Sequence, residues 1–315
     1  MTTKTKLIVD TDTGIDDAQA LMMALAHPQA EIAAITMVSG NVHLDLVTGN
    51  VARVLDVCGA DVPFYRGMAG PLIGEHVDAA DIHEDDGLGN SGYPPSSRQP
   101  EEEHAVQAIL RLCNAAPQTY TLVALGPLTN IALAVRLDPQ LPQKIKRLIV
   151  MGGTVDARGN ITLAAEYNFY ADPEAAHIVL SSFPKTTLIS WEATIEHAAD
   201  WDWYHQWAAT DTPRGRFNRA ISRNYVEMAK TRFRAKGYFL PDPLAMAVAL
   251  EPSLVLEAEE RWATIELRGE HTRGQIVVNY PDYTGRHEHY RNNVEIIRRV
   301  DMDGFLTLLE QAVAG

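Results

Sequence analysis

Short apolar runs alternate with amphipathic stretches along most of the chain. LIV at 7–9 reads as a strand and Asp16 to His27 as a helix; EIAAITMV at 31–38 is again strand-like, and 43–58 is helical. TLVAL at 121–125 precedes a helix starting near Leu128, and RLIVM at 147–151 and TTLIS at 186–190 are further strands. These runs lack polar alternation, as strands buried on both faces do. The pattern predicts βαβ units and an α/β fold: an open, mostly parallel, Rossmann-like sheet with helices on both faces. No internal repeat is present, and 1–315 is expected to form one domain.

Two segments break the rhythm. Residues 66–100, rich in Gly, Pro, Asp and Ser around EDDGLGNSGYPP, predict a long loop, and such loops in compact domains are often functional. Residues 198–240 hold three of the five tryptophans and many charges, and predict a helical insertion over the active site. Residues 253–300 read as mixed strands, and DMDGFLTLLEQAV as a final helix with Asp301 near its cap.

The candidate chemistry sits where the first strand meets the first helix. In IVDTDTGIDDAQALMMAL, Asp10, Asp12, Asp16 and Asp17 fall within eight residues, and ligands of open α/β sheets bind at the carboxyl ends of strands. Carboxylates so close raise one another's pKa, a conflict that a hard cation such as calcium removes; Gly14 can supply the sharp turn. Helix capping accounts for Asp16 or Asp17 but not for Asp10 and Asp12 as well. An EF-hand would need Glu at the twelfth position from Asp10, where Leu21 stands. A dehalogenase-type phosphatase would use Asp10 and Asp12 but has no need of Asp16 and Asp17.

Composition narrows the partners. The formal charge of −14 argues against nucleic-acid backbones, which need basic footprints, and leaves a small neutral or cationic ligand. Cys58 and Cys113, each in an apolar helix-like stretch, imply no disulfide framework. MTTKTKLIVD has no apolar region before a cleavage site, and no run reaches the about 18–20 apolar residues of a membrane span. A cytoplasmic protein is expected.

DTDTGIDDA closely resembles the DxDxGxDDA signature of the inosine-uridine nucleoside hydrolase family. The likeness extends through VSGN at 38–41, ALGPLTNIALA at 124–134, MGG at 151–153, GNITLAAEYNFYADPEA at 159–175, PDPLA at 241–245 and TRG at 272–274. It implies hydrolysis of the N-glycosidic bond of ribonucleosides by a calcium-activated water, in a homodimer or homotetramer. It makes Asp12, Asp17, Asp242 and the carbonyl of Leu125 calcium ligands, an oxygen set that suits the ion. Asp12 would also take a proton from the metal-bound water, and Asp10 would support the metal shell. Asp16 would hold the ribose 2′-hydroxyl, and Asn41, Asn160, Glu166 and Asn168 the other hydroxyls and the charge of an oxocarbenium-like transition state. His83, in DIHEDDGLG, matches a histidine at the base-side rim and is a catalytic candidate, although a loop histidine can equally be solvated.

The sequence also departs from the family. Pro241 stands where many relatives place the histidine that protonates the leaving base. Tyr225, Arg232 and Tyr238 could take over that task, or could be packing and surface residues. With Pro241 the chain could also be a calcium- and ribose-binding protein without catalysis. Leu163 replaces the usual proline, and Tyr167 a common phenylalanine. The aromatic residues of 198–240 can stack on a base or simply form core.

Overall fold

The computed structural model describes residues 4–280 and 290–315. Among the described residues ten strands are β1 (Thr5–Thr11), β2 (Ala30–Met37), β3 (Phe64–Arg66), β4 (Tyr120–Ala124), β5 (Arg147–Met151), β6 (Thr186–Ile189), β7 (Val255–Arg261), β8 (Ala263–Ile265), β9 (Ile276–Val278) and β10 (Val294–Val300). Eight of them form one sheet in the order β3-β2-β1-β4-β5-β6-β10-β7. All neighbours are parallel except β10 and β7, so the open parallel sheet expected from the apolar runs carries one antiparallel edge. β8 and β9 pair separately.

Pleating explains the unbroken apolar runs. Leu7 and Val9 pack into one core with the helices Ile15–Ala26, Leu44–Cys58, Pro241–Leu250 and Met302–Ala314. Ile8, pointing to the opposite face, packs with the helices Ala105–Ala115, Thr129–Leu137 and Pro173–Ser182. Both faces are covered, so successive residues of β1 are all buried from Leu7 onwards.

The strand order reverses between β1 and β4, where connections run outward in opposite directions. A crevice opens at the carboxyl ends of such a pair. Asp12 follows β1 directly, and Leu125 follows β4. Leu125 N–H donates to the Asp10 carbonyl at 2.8 Å, which fixes the two ends side by side.

The departures from regular rhythm lie where expected. The 66–100 segment is loop apart from β3's last residue and the short helix Ala80–His83. The 198–240 segment holds the helices Trp201–Ala208 and Pro213–Thr231. Asp301 caps the last helix by accepting from Asp303 N–H. Of the strand-rich tail, 281–289 lies outside the described residues. Cys58 and Cys113 are free thiols. No described helix is long and apolar enough to cross a membrane.

Candidate active site

Above the β1–β4 crevice lies a cavity of about 580 Å³. Asp16, Asn41, Leu125, Glu166, Asn168 and Asp242 line its polar end; Ile82, Trp191, Ile195, Tyr225, Phe239 and Pro241 line an aromatic, apolar end. Tyr225, Arg232, Phe233, Tyr238 and Phe239 all come from the 198–240 segment, which therefore forms one wall.

The polar end is built from backbone geometry. Asp16 and Asp17 occupy the first turn of the helix Ile15–Ala26, and Asp242 the first turn of the helix Pro241–Leu250. Both helix N-termini favour negative charge. Pro241 is the first residue of its helix, a position where the missing N–H costs nothing. Asp16, Asp17 and Asp242 bring carboxylate oxygens within 4.8 Å of one another. Asp17 is held by three donors: Thr11 Oγ1 at 2.5 Å, Gly14 N–H at 2.9 Å and Asn41 Nδ2 at 3.1 Å. Asp12 Oδ2 accepts from Asn41 N–H at 2.7 Å. Asp12 Oδ1 and Asp16 Oδ1 are buried without a hydrogen-bond partner. Gly40 and Gly126 press against the Asp12 carboxylate, and a Cβ on Gly126 would stand 2.7 Å from Oδ1.

This crowding shifts the acids. Burial, then the charge of Asp17, raises Asp12 and Asp242 well above the ordinary carboxylate range. The same two causes push Asp16 up to about 7. Asp10 also rises to about 7 through burial, opposed by hydrogen bonds from Thr36 Oγ1 and Asn130 Nδ2 at 2.6 and 2.8 Å. Among the described lining residues the one cationic side chain is Arg232, at the rim, exposed and 3.7 Å from Asp81.

The remaining predicted residues fall in different settings. Glu166 and Asn168 are buried, which a solvated loop would not give. Glu166 caps the helix Tyr167–Ala171 and accepts from Gly153 N–H at 2.6 Å; burial pushes it up to about 7. Asn168 Nδ2 donates to the Leu125 carbonyl at 2.7 Å. A carbonyl oxygen has two lone pairs, so Leu125 keeps one for another partner. Asn160 is exposed at the cavity edge. His83 is buried, and its Nδ1 accepts from Ile15 N–H at 3.1 Å. Burial lowers its pKa to about 4, so the ring is neutral and Nε2 carries the proton.

Two of the aromatic candidates separate clearly. Tyr238 is buried packing: its hydroxyl donates to Ser222 and accepts from Gln19. Tyr225 stands edge-on to the Tyr238 ring at 5.4 Å and lines the cavity. Sequence reasoning missed the supports, Thr11, Thr36 and Asn130. Thr11 and Asn130 sit inside the acidic loop and the GPLTN segment, but nothing local reveals which carboxylate each one holds.

The comparisons with known proteins agree with this geometry. The family model described as inosine-uridine preferring nucleoside hydrolase matches residues 7–307. The pyrimidine-specific ribonucleoside hydrolase RihA of Citrobacter koseri is 34% identical over 313 residues, covering 98% of this chain and 97% of its own. The inosine-uridine preferring nucleoside hydrolase of Crithidia fasciculata is 35% identical over 311 residues, covering 98% and 97%. A solved inosine-guanosine nucleoside hydrolase superposes with a TM-score of 0.90 at 35% identity, covering 98% of each chain. With its acidic crevice, its strand order and a match over nearly its whole length, the chain belongs to the inosine-uridine preferring nucleoside hydrolase family and is an N-ribohydrolase.

Proposed function

We propose that this hydrolase cleaves ribonucleosides with calcium held by Asp12, Asp17, Asp242 and the Leu125 carbonyl. The observation that carries this is the buried carboxylate cluster, with orphaned oxygens on Asp12 and Asp16 and, among the described lining residues, one basic side chain, Arg232, which is exposed at the rim beside Asp81. Charge buried in this way needs a counter-charge, and an all-oxygen donor set suits a hard cation. When bound, the ion supplies Lewis acidity that lowers the pKa of a coordinated water towards neutral.

The chain's own residues then do the following. Asp12 removes a proton from the attacking water, whose oxygen bonds to the anomeric carbon. The N-glycosidic bond breaks, and its electron pair leaves on the base nitrogen. Asp16 accepts from the ribose 2′-hydroxyl, and Asn41, Asn160, Glu166 and Asn168 hold the other hydroxyls. Their oxygens face the positive charge that develops on the sugar. At the apolar end, Pro241 can donate nothing, and Tyr238 is already engaged. We assign assistance of the leaving base to Tyr225. Burial and the Asp16 charge raise the pKa of its phenol, so it keeps its proton and donates a hydrogen bond. Neutral His83 offers a second donor at Nε2. The chain is read as one domain, 1–315, whose 198–240 insertion covers the base. A cytoplasmic homodimer or homotetramer is the setting this reading expects.

A chelated preparation should lose turnover of a ribonucleoside and regain it with calcium. Asp12→Asn should stay at least about 10²-fold below wild type under the same treatment while keeping its fold. Elemental analysis beside a reducing-sugar assay checks this, and an Asp12→Asn rate above a tenth of wild type would remove Asp12 from its role.

Metal-free protein should lose stability as pH rises. Asp10, Asp16 and Glu166 have folded-state values raised to about 7, and Asp12 and Asp242 move the same way. Between the ordinary 3.8 and about 7 the folded chain therefore binds more protons than the unfolded one. His83, lowered from 6.5 to about 4, acts in the opposite sense, but one imidazole opposes five carboxylates. The Tm of chelated protein should fall across this window, and saturating calcium should flatten the fall by displacing protons. A Tm that rises with pH in chelator contradicts the cluster electrostatics.

Discrimination against 2′-deoxyribonucleosides should be strong, as much as about 10⁴-fold in kcat/KM, because Asp16 is left without its partner. Equal specificity constants for uridine and deoxyuridine would dismiss the assignment.

Tyr225→Phe should slow natural nucleosides by about 10²-fold and spare a nitrophenyl riboside, whose leaving group needs little help. Equal loss on both substrates would show that Tyr225 acts elsewhere. Pro241→His should raise the natural-substrate rate of the Tyr225→Phe variant.

A further inference from the structure

The cavity's sugar end depends on a loop with no regular structure. Between β5 and the helix Tyr167–Ala171, residues 152–166 carry Gly159, Asn160, Ile161 and Glu166 to the cavity. The end near Glu166 is tied by Gly153 N–H to the Glu166 carboxylate and by Thr154 Oγ1 to the Ala164 carbonyl, both at 2.6 Å. The tip folds on itself, with Gly159 N–H on the Leu163 carbonyl at 3.2 Å and Asn160 N–H on the Ala165 carbonyl at 3.1 Å, and its side chains are bare: Leu163 is 83% exposed, and Asn160 is exposed. None of these bonds is made by residues 155–158, which join Thr154 to the tip.

Glu192 binds this stretch. It is 2% exposed, and its carboxylate accepts from three backbone N–H groups of the loop: Val155 at 3.0 Å, Asp156 at 2.9 Å and Arg158 at 3.2 Å. The chain turns around the carboxylate through Ala157, whose φ of 58° lies in the left-handed region. An alanine there is strained. Alternating right- and left-handed residues point successive N–H groups into one concavity, an anion nest. Here the anion is internal, and a carboxylate accepting two or three backbone N–H bonds is a strong, charge-assisted contact. The outer side of the same turn is braced by Arg298 on Asp156 at 3.1 Å and Tyr280 on the Val155 carbonyl at 3.1 Å.

Glu192 also sits in the first turn of the helix Trp191–Glu196, between two cavity-lining residues, Trp191 and Ile195. Trp191 N–H donates to the Gly153 carbonyl at 2.9 Å. The wall at the base end and the loop at the sugar end are thus clasped together by adjacent residues.

We propose that Glu192 is a positioning residue, which seats Asn160 in the substrate cavity by filling the nest formed by Val155, Asp156 and Arg158, and so locks the sugar loop to the helix that lines the base end. It rests on the reading that Asn160 binds ribose. A displacement of about 1 Å at a substrate-orienting group can cost about 10²-fold in rate. The isosteric Glu192→Gln keeps the acceptor at Oε1 but places an NH₂ donor against Val155 N–H. Glu192→Ala empties the nest.

The test is steady-state kinetics of calcium-saturated protein on a ribonucleoside, with Asn160→Ala and the double variants in a cycle. Glu192→Gln should lower kcat/KM about 10-fold, mainly through KM, and Glu192→Ala about 10²-fold. In the Asn160→Ala background either Glu192 change should add less than about threefold, because residues acting through one contact are not additive. A purely structural role would lower Tm and the active fraction while leaving the KM of the surviving enzyme unchanged, which would overturn the proposal. Losses that multiply with those of Asn160→Ala would overturn it too. If Asn160→Ala alone has wild-type kinetics, it is the ribose reading of Asn160 that fails. Glu192→Gln preserves volume and most contacts, so the test stands even if Glu192→Ala does not fold.

Discussion

The structure is organised around carboxylates gathered at one point in the interior, and among the described residues lining that cavity the one basic side chain is Arg232 at the rim. Asp12, Asp16, Asp17 and Asp242 converge at the crevice where strand order reverses, and Asp10 lies just beneath. A chain can hold such a cluster only if much of the fold serves it. Two helices end their N-termini there, and Asn41, Gly14 and Thr11 donate into it. Glycines at 40 and 126 give up side chains so that Asp12 fits. What the protein does not supply is enough positive charge. The deficit is a property of the fold, and a hard cation is the counter-charge that would answer it.

The β1–helix junction was legible because its determinants are local. The apolar run at 7–9, the turn at Gly14 and the clustered acids give strand, loop and helix in order, and the structure places them within two residues. The sheet was legible for the same reason: strands covered on both faces show uninterrupted apolar runs. Asp242 and the pair Glu166 and Asn168 were reachable only by resemblance. They lie far from the acidic loop along the chain, and neither periodicity nor spacing says that β5, the 152–166 loop and the helix at 241 meet at the same crevice. The supports were not legible at all. Asn130 holds Asp10 from 120 residues away, and Thr36 does so from a neighbouring strand. Such pairings depend on strand order, which the sequence leaves open.

Pro241 illustrates how backbone and chemistry compete for one position. As the first residue of a helix, proline preorganises the turn that presents Asp242. The same residue lines the cavity, where a titratable side chain could have acted. The chain has the helix start and not the acid. In the aromatic wall of 198–240, Tyr225 and Tyr238 show how similar side chains divide. One hydroxyl is spent inside the core on Gln19 and Ser222, while Tyr225 lines the cavity.

Asp16 and Asp17 divide in the same manner, and helix geometry is the cause. Adjacent helical residues point about 100° apart, so the two neighbouring acids meet different surroundings, although each brings an oxygen to the same cluster with Asp242. Asp17, third in its helix, turns back over the N-terminus and takes the hydrogen bonds of Thr11, Gly14 and Asn41. A carboxylate has about four lone-pair sites, so three donors leave it one, aimed and rigid. Asp16, one residue earlier, lines the open cavity with a buried oxygen that nothing in the protein satisfies. A rigid, nearly saturated carboxylate suits an ion that must not move. A carboxylate with an unmet acceptor suits a hydroxyl that arrives with each substrate. On the proposed reading the DD pair thus divides into two roles through one helical step.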